Sequence, residues 1–150
     1  MTSPNKLETV STLLKSWPVE ITAIGSDQIN AVVSEQDLHA AVTVLREWGY
    51  LSAITGIDLG IQVGKLEVLY HFCAGPTTLS LRVQIPRDAA SLPSICDVIP
   101  YANLYERELS EMLGIIINGT PTLEKLFLPD DWPEGVYPLR KDAAVGETSA

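Results

Sequence analysis

Two runs of strict alternation joined by a short turn leave this chain little freedom of architecture. Leu66, Val68, Tyr70 and Phe72 alternate with Glu67, Leu69, His71 and Cys73; after Gly75-Pro76, Leu79, Leu81, Val83 and Ile85 alternate with Ser80, Arg82 and Gln84. A period of two places alternate side chains on opposite faces of a strand, so the pattern predicts an antiparallel hairpin with one covered face, ended by Pro86. Such a face needs helices to cover it.

Helical spacing supplies them. Leu7, Val10, Leu14 and Trp17 mark a first helix, stopped at Pro18. From Glu35 to Trp48, Leu38, Ala41, Val42, Leu45 and Trp48 make one stripe, with Ser34 as N-cap and Gly49 closing the helix. Between these two helices, Ile21 to Ile24 and Ile29 to Val33 flank Gly25-Ser26-Asp27-Gln28, which has the chemistry of a hairpin turn. Tyr50 to Asp58 reads as a further strand, and Leu92 to Val98, with Pro93 near its start, reads as a short helix leading to Pro100.

The stretch from Pro100 to Asp142 carries the unusual chemistry. Tyr101, Leu104, Tyr105, Leu109, Met112 and Leu113 recur at intervals of three and four and predict a helix, stopped by Gly114. Glu108 falls inside that stripe, where an unpaired carboxylate is costly. At 100° per residue Glu106 and Glu108 point about 160° apart and cannot share a site, whereas Arg107 and Glu111 are spaced to pair on the surface. Glu108 is open to three readings: a structural salt bridge, a contact to another subunit, or a catalytic carboxylate. Arg140, followed by Lys141, is its candidate partner, because a guanidinium meets a carboxylate with two hydrogen bonds. Beyond Ile117 the chain meets Gly119, Pro121, Pro129, Pro133, Gly135 and Pro138, which forbid a long regular element. It nonetheless carries Leu123, Leu126, Phe127, Leu128, Trp132, Tyr137 and Leu139, so it is expected to be ordered by lying on something. The expected fold class is α+β, a largely antiparallel sheet with helices packed on one face, followed by an extended C-terminal ribbon. The expected division is an α+β domain over residues 1–118 and a docking segment over 119–150.

Composition excludes several functions. Ten Lys plus Arg against nineteen Asp plus Glu give a net charge of −9, which opposes nucleic acid and anionic lipid as partners. No apolar run approaches the roughly 20 residues that span a bilayer, and MTSPNKLETV lacks the regions of a signal peptide, so a cytosolic location is expected. Cys73 and Cys96 have no metal or redox spacing and read as buried thiols, and His39 and His71 lack a second ligand. There is no G-x-S-x-G elbow, and Gly56, Gly60 and Gly64 form no phosphate loop. Neither a catalytic nor a cofactor-binding nor a metal-binding residue is assigned. The contrasting hypotheses are a small free-standing enzyme with Glu108 and Glu111 as acid and base, or a free assembly or regulatory module.

One ordered set of residues is specific. Pro100 and Ala102 precede Glu106-Arg107-Glu108; then come Glu111, Met112-Leu113-Gly114-Ile115, Gly119, Pro121, Leu126, Pro129, Asp131-Trp132 and Pro138-Leu139-Arg140-Lys141-Asp142. This series resembles the 30 kDa subunit of respiratory complex I, the NADH-quinone oxidoreductase, and its counterparts in membrane-bound hydrogenases. Asp58 closing a strand and Tyr70-His71 in the next are weaker matches. Leu104, Thr120 and Glu124 depart from the family's usual Trp, His and basic residue. The resemblance implies a cofactor-free, non-catalytic structural and assembly subunit of the peripheral arm, at the cytoplasmic face. Such a subunit meets the membrane only through the complex and clasps a partner of the 49 kDa type, akin to a hydrogenase large subunit. Its interface or structural residues would be Glu106, Arg107, Glu108, Glu111, Gly114, Trp132, Pro138, Leu139, Arg140, Lys141 and Asp142.

Overall fold

A computed structural model describes residues 6–143. The hairpin read from alternation is its centre: β4 (Lys65–Ala74) pairs antiparallel with β5 (Thr77–Pro86), with Tyr70 opposite Leu81 and Phe72 opposite Leu79. All four of these side chains are fully buried, and the two leucines and Phe72 each contribute about 1.5–3 kcal/mol on leaving water. β3 (Tyr50–Asp58) extends the sheet antiparallel to β4, with a register shift between Leu51 and Ala53. On the other side β2 (Gln28–Val32) pairs with β5 in parallel, and β1 (Glu20–Ile24) forms the expected hairpin with β2. The strand order is β1-β2-β5-β4-β3, a mixed and mostly antiparallel five-stranded sheet.

Helices cover one face. α2 (Glu35–Trp48) begins at Ser34, whose hydroxyl accepts from the Asp37 N–H, and buries Leu38, Ala41, Val42 and Leu45. α1 (Lys6–Leu13) brings Val10, followed by Leu14, into the same core. α3 (Asn103–Leu113), entered through a 3-10 turn at Pro100–Ala102, lies against β3 at Gly56. A Cβ at Gly56 would stand 2.3 Å from Leu113 Cδ1 and 2.8 Å from Leu109 Cδ2, so the missing side chain sets how closely helix and strand approach.

Two local expectations are corrected. Leu92 to Val98 is not a helix: Ser91–Pro93 is a strand, β6, pairing in parallel with β7 (Ile116–Asn118) to form a second, two-stranded sheet. The stripe expected on α3 holds at Leu109 and Leu113 but fails at its start. Tyr101 and Leu104 are about half exposed, while Ala102, Glu106, Leu109 and Leu113 are the buried positions. Beyond Asn118 the described residues contain no helix or strand; residues 144–150 of the expected C-terminal segment lie outside them.

Candidate functional site

Three charged residues in the middle of α3 hold three different pieces of chain. Glu106 is 1% exposed, and its carboxylate accepts from Ser94 Oγ (2.8 Å), the Ile95 N–H (2.7 Å) and Cys96 Sγ (3.1 Å). It therefore staples the segment after β6 to the helix, and buried charge of this kind is tolerated only because donors surround it. Burial pushes the Cys96 thiol up, away from thiolate reactivity. Arg107 donates from Nε to Glu124 O (2.9 Å) and from its other arm to Lys125 O (3.3 Å). Glu111 accepts from the backbone N–H groups of Leu126 (3.2 Å), Phe127 (2.8 Å) and Leu128 (2.9 Å). Burial alone would raise the Glu111 carboxyl; those three N–H groups and Lys125 outweigh it and hold it below its ordinary value. The surface pair expected between Arg107 and Glu111 is thus replaced: each side chain binds the backbone of the C-terminal segment instead.

The Pro138 to Asp142 motif folds back onto the domain. The Leu139 N–H donates to Met112 O (3.1 Å), and Arg140 Nε to Leu113 O (2.7 Å), satisfying carbonyls that the end of α3 leaves free. Gly114 sits in the left-handed region at φ 70°, and a Cβ there would meet the Tyr137 ring at 2.5 Å. Two requirements thus converge on glycine. The Tyr137 ring also lies under Arg140, 5.4 Å from guanidinium carbon to centroid. Asp58, 4% exposed at the end of β3, takes both Nε and Nη2 of Arg87 at 2.9 and 2.8 Å. It also accepts from the N–H groups of Gly60 and Lys141, both at 2.8 Å, and Arg87 reaches on to Asp142. The Arg87 guanidinium beside Asp58 holds its carboxyl well below the usual carboxylate range. Asp58 and Arg87 are thus the receptor for the motif's last two residues.

The carboxylate expected to need a partner is the wrong one. Glu106 is buried and Glu108 is only half-buried, with no hydrogen bond or ion pair among the described residues. Arg140, its expected partner, is committed to Leu113 O. Nor do Glu108 and Glu111 make an acid and base pair. Glu111 lines a cleft between α3 and the C-terminal segment, with Trp132 and Tyr137. Glu108 lines a separate one, between α3 and β3. Trp132 is half-buried and its Nε1 donates to Val136 O at 2.8 Å; Pro138 is half-buried and Leu139 exposed. His39 pairs with Asp97 at 2.8 Å, and His71 with Thr55 and Ser80. No cluster of three or more His, Cys, Asp or Glu poised for a metal occurs among the described residues.

Residues 31–149 match the model of the respiratory-chain NADH dehydrogenase 30 kDa subunit family. The chain belongs to that family. The resemblance read from the Pro100 to Asp142 series is therefore sound. The chain is 41% identical to membrane-bound hydrogenase subunit beta of Pyrococcus furiosus over 57% of its own length, and spans 50% of that relative. It is 33% identical to a relative from the F(420)H(2) dehydrogenase of Methanosarcina mazei, over 89% of this chain and 88% of the relative. Among solved structures, a chain of the membrane-bound sulfane sulfur reductase, an archaeal respiratory membrane complex, superposes with a TM-score of 0.81 at 26% identity. That superposition covers 92% of this chain and 85% of the other. No helix among the described residues is long and apolar enough to cross a membrane.

Proposed function

We propose that this chain is a docking and assembly subunit in the peripheral, cytoplasmic-side arm of a complex I-like NADH-quinone oxidoreductase or a related membrane-bound hydrogenase. It clasps the 49 kDa-type large subunit through residues 119–142 and supplies neither a cofactor nor a reacting group. Family membership and the names of the relatives support the type of complex. The observation that carries the docking role is the division of labour in the C-terminal segment. Its backbone is tied to α3 through Arg107, Glu111 and Leu113, yet Leu123, Phe127 and Leu139 remain 49%, 60% and 55% exposed. Apolar side chains held outward on a fixed backbone fit a surface that is covered in an assembly. Trp132, which lines the same cleft as Leu123, belongs to the same proposed contact region.

The test is the variant Leu123→Asp with Phe127→Asp, expressed in the host in place of the original chain. Both side chains are exposed, so the isolated domain should melt as before while recovery of the large subunit with it falls severalfold. Undiminished recovery would overturn the reading.

A further inference from the structure

The five-stranded sheet ends at β3, and that edge is dressed at one end only. Tyr101 Oη donates to Leu51 O at 2.7 Å and Tyr105 Oη to Ser52 O at 2.9 Å. From Ala53 to Ile57, no backbone group has a hydrogen-bond partner outside the pairing with β4, among the described residues. An edge strand points alternate N–H and C=O groups away from its neighbour, and proteins guard such rows with Lys, Pro or bulges. The β3 irregularity falls at Leu51/Ala53, before the bare stretch, and the stretch itself, AITGI, holds no charge and no proline. The opposite edge, β1, is about half as long and opens on Glu20.

A cleft follows the bare edge. Ala53, Ile54, Thr55 and Gly56 form one wall, with Glu108 and Met112 of α3 opposite. Consecutive strand residues alternate faces: Ile54 and Gly56 pair with the buried Tyr70 and Val68, Ala53 and Thr55 with the outward His71 and Leu69. A wall containing all four is the strand's edge rather than either face. Glu108 is the one charged residue among those lining the cleft, and it has no partner among the described residues.

We propose that the free edge of β3 from Ala53 to Ile57 takes an extended segment of a partner subunit, carrying a Lys or Arg that meets Glu108. The inference rests on the docking reading above, but concerns a surface away from Leu123 and Phe127. Strand addition supplies the hydrogen bonds that the edge lacks, and the carboxylate selects a basic strand. A second copy of this chain is the poorer occupant: edge-to-edge pairing would bring a second Glu108 to the same seam, in a chain already at −9.

The experiment compares hydrogen exchange of the isolated chain with that of the native complex purified through it, and places a photo-crosslinking residue at Thr55. In the complex, amides in 53–57 should exchange at least about tenfold more slowly. The cross-link should land on a partner segment with a Lys or Arg within a few residues. Glu108→Lys should leave the melting of the isolated chain unchanged and lower recovery of the complex about tenfold, restored by reversing the partner's basic residue. An intact complex with 53–57 unprotected overturns the inference and leaves the docking reading standing, as does a cross-link to a second copy. Recovery of the chain without any complex overturns both.

Discussion

Replacing Glu106 by Ala removes the acceptor shared by three buried donors. The Ile95 N–H at 2.7 Å and the Ser94 hydroxyl at 2.8 Å each bond a charged oxygen, a type of bond worth about 1.5–3 kcal/mol. The Cys96 thiol is a weak donor and adds little. The sum, about 3–6 kcal/mol, is a large share of the 5–15 kcal/mol typical of a whole domain. At about 2–4 °C per kcal/mol for a chain near this length, Tm should fall by about 10 °C. Glu106→Gln keeps the volume and one acceptor oxygen, and the Ser94 and Cys96 groups can rotate to meet its new donor, so about half that loss is expected. Glu108→Ala should stay within about 0.5 kcal/mol of the parent, because Glu108 has no partner to lose among the described residues. Urea unfolding of the isolated chain reads all three through the shift in midpoint at constant slope. A Glu106→Ala loss below about 1 kcal/mol, or a larger loss for Glu108→Ala, would refute the placement of the buried carboxylate.

Other consequences are as concrete. Gly114→Ala must hold a left-handed backbone and displace the Tyr137 ring, so urea unfolding should show a loss above about 1–2 kcal/mol, relieved in part when Tyr137 is also Ala. Glu111→Ala strips the acceptor from the N–H groups of Leu126 to Leu128, and limited trypsin digestion should cut after Lys125 severalfold faster. Asp58 has its carboxyl lowered in the folded state, so as pH falls below about 4 the unfolded chain takes up the proton first and stability is lost. Asp58→Asn should be less stable at neutral pH and show a shallower decline on the acid side, measured as urea midpoint against pH.

What could be read in advance depended on whether a feature was local. Alternation from Leu66 to Ile85 and the stripe from Leu38 to Leu45 carried the hairpin and α2, because one face of each meets the core along its whole length. The parallel pairing of β2 with β5 joins segments about fifty residues apart, and nothing in either marks the other. α3 misled for a physical reason. Tyr101, in the turn before it, and Tyr105 donate their hydroxyls to carbonyls of β3. At the start of the helix the buried positions are Ala102 and Glu106 rather than Tyr101 and Leu104, while Leu109 and Leu113 are buried as the spacing indicates. Glu106 escaped because its donors lie in Ser94 to Cys96, a segment whose proline suggested a helix start and which follows a strand instead. Asp58 and the Pro138 to Asp142 motif were both visible in the sequence. Their connection runs through Arg87, an isolated arginine after Pro86 that no spacing rule singles out.

The proposed role is permanent membership of a larger assembly. Tagging this chain in its native host and weighing the polypeptides that copurify at equal stoichiometry tests it most directly. A 49 kDa-type large subunit at one copy per chain, with further peripheral-arm subunits, is the expected result. A chain that elutes alone at about 16.3 kDa would overturn that role.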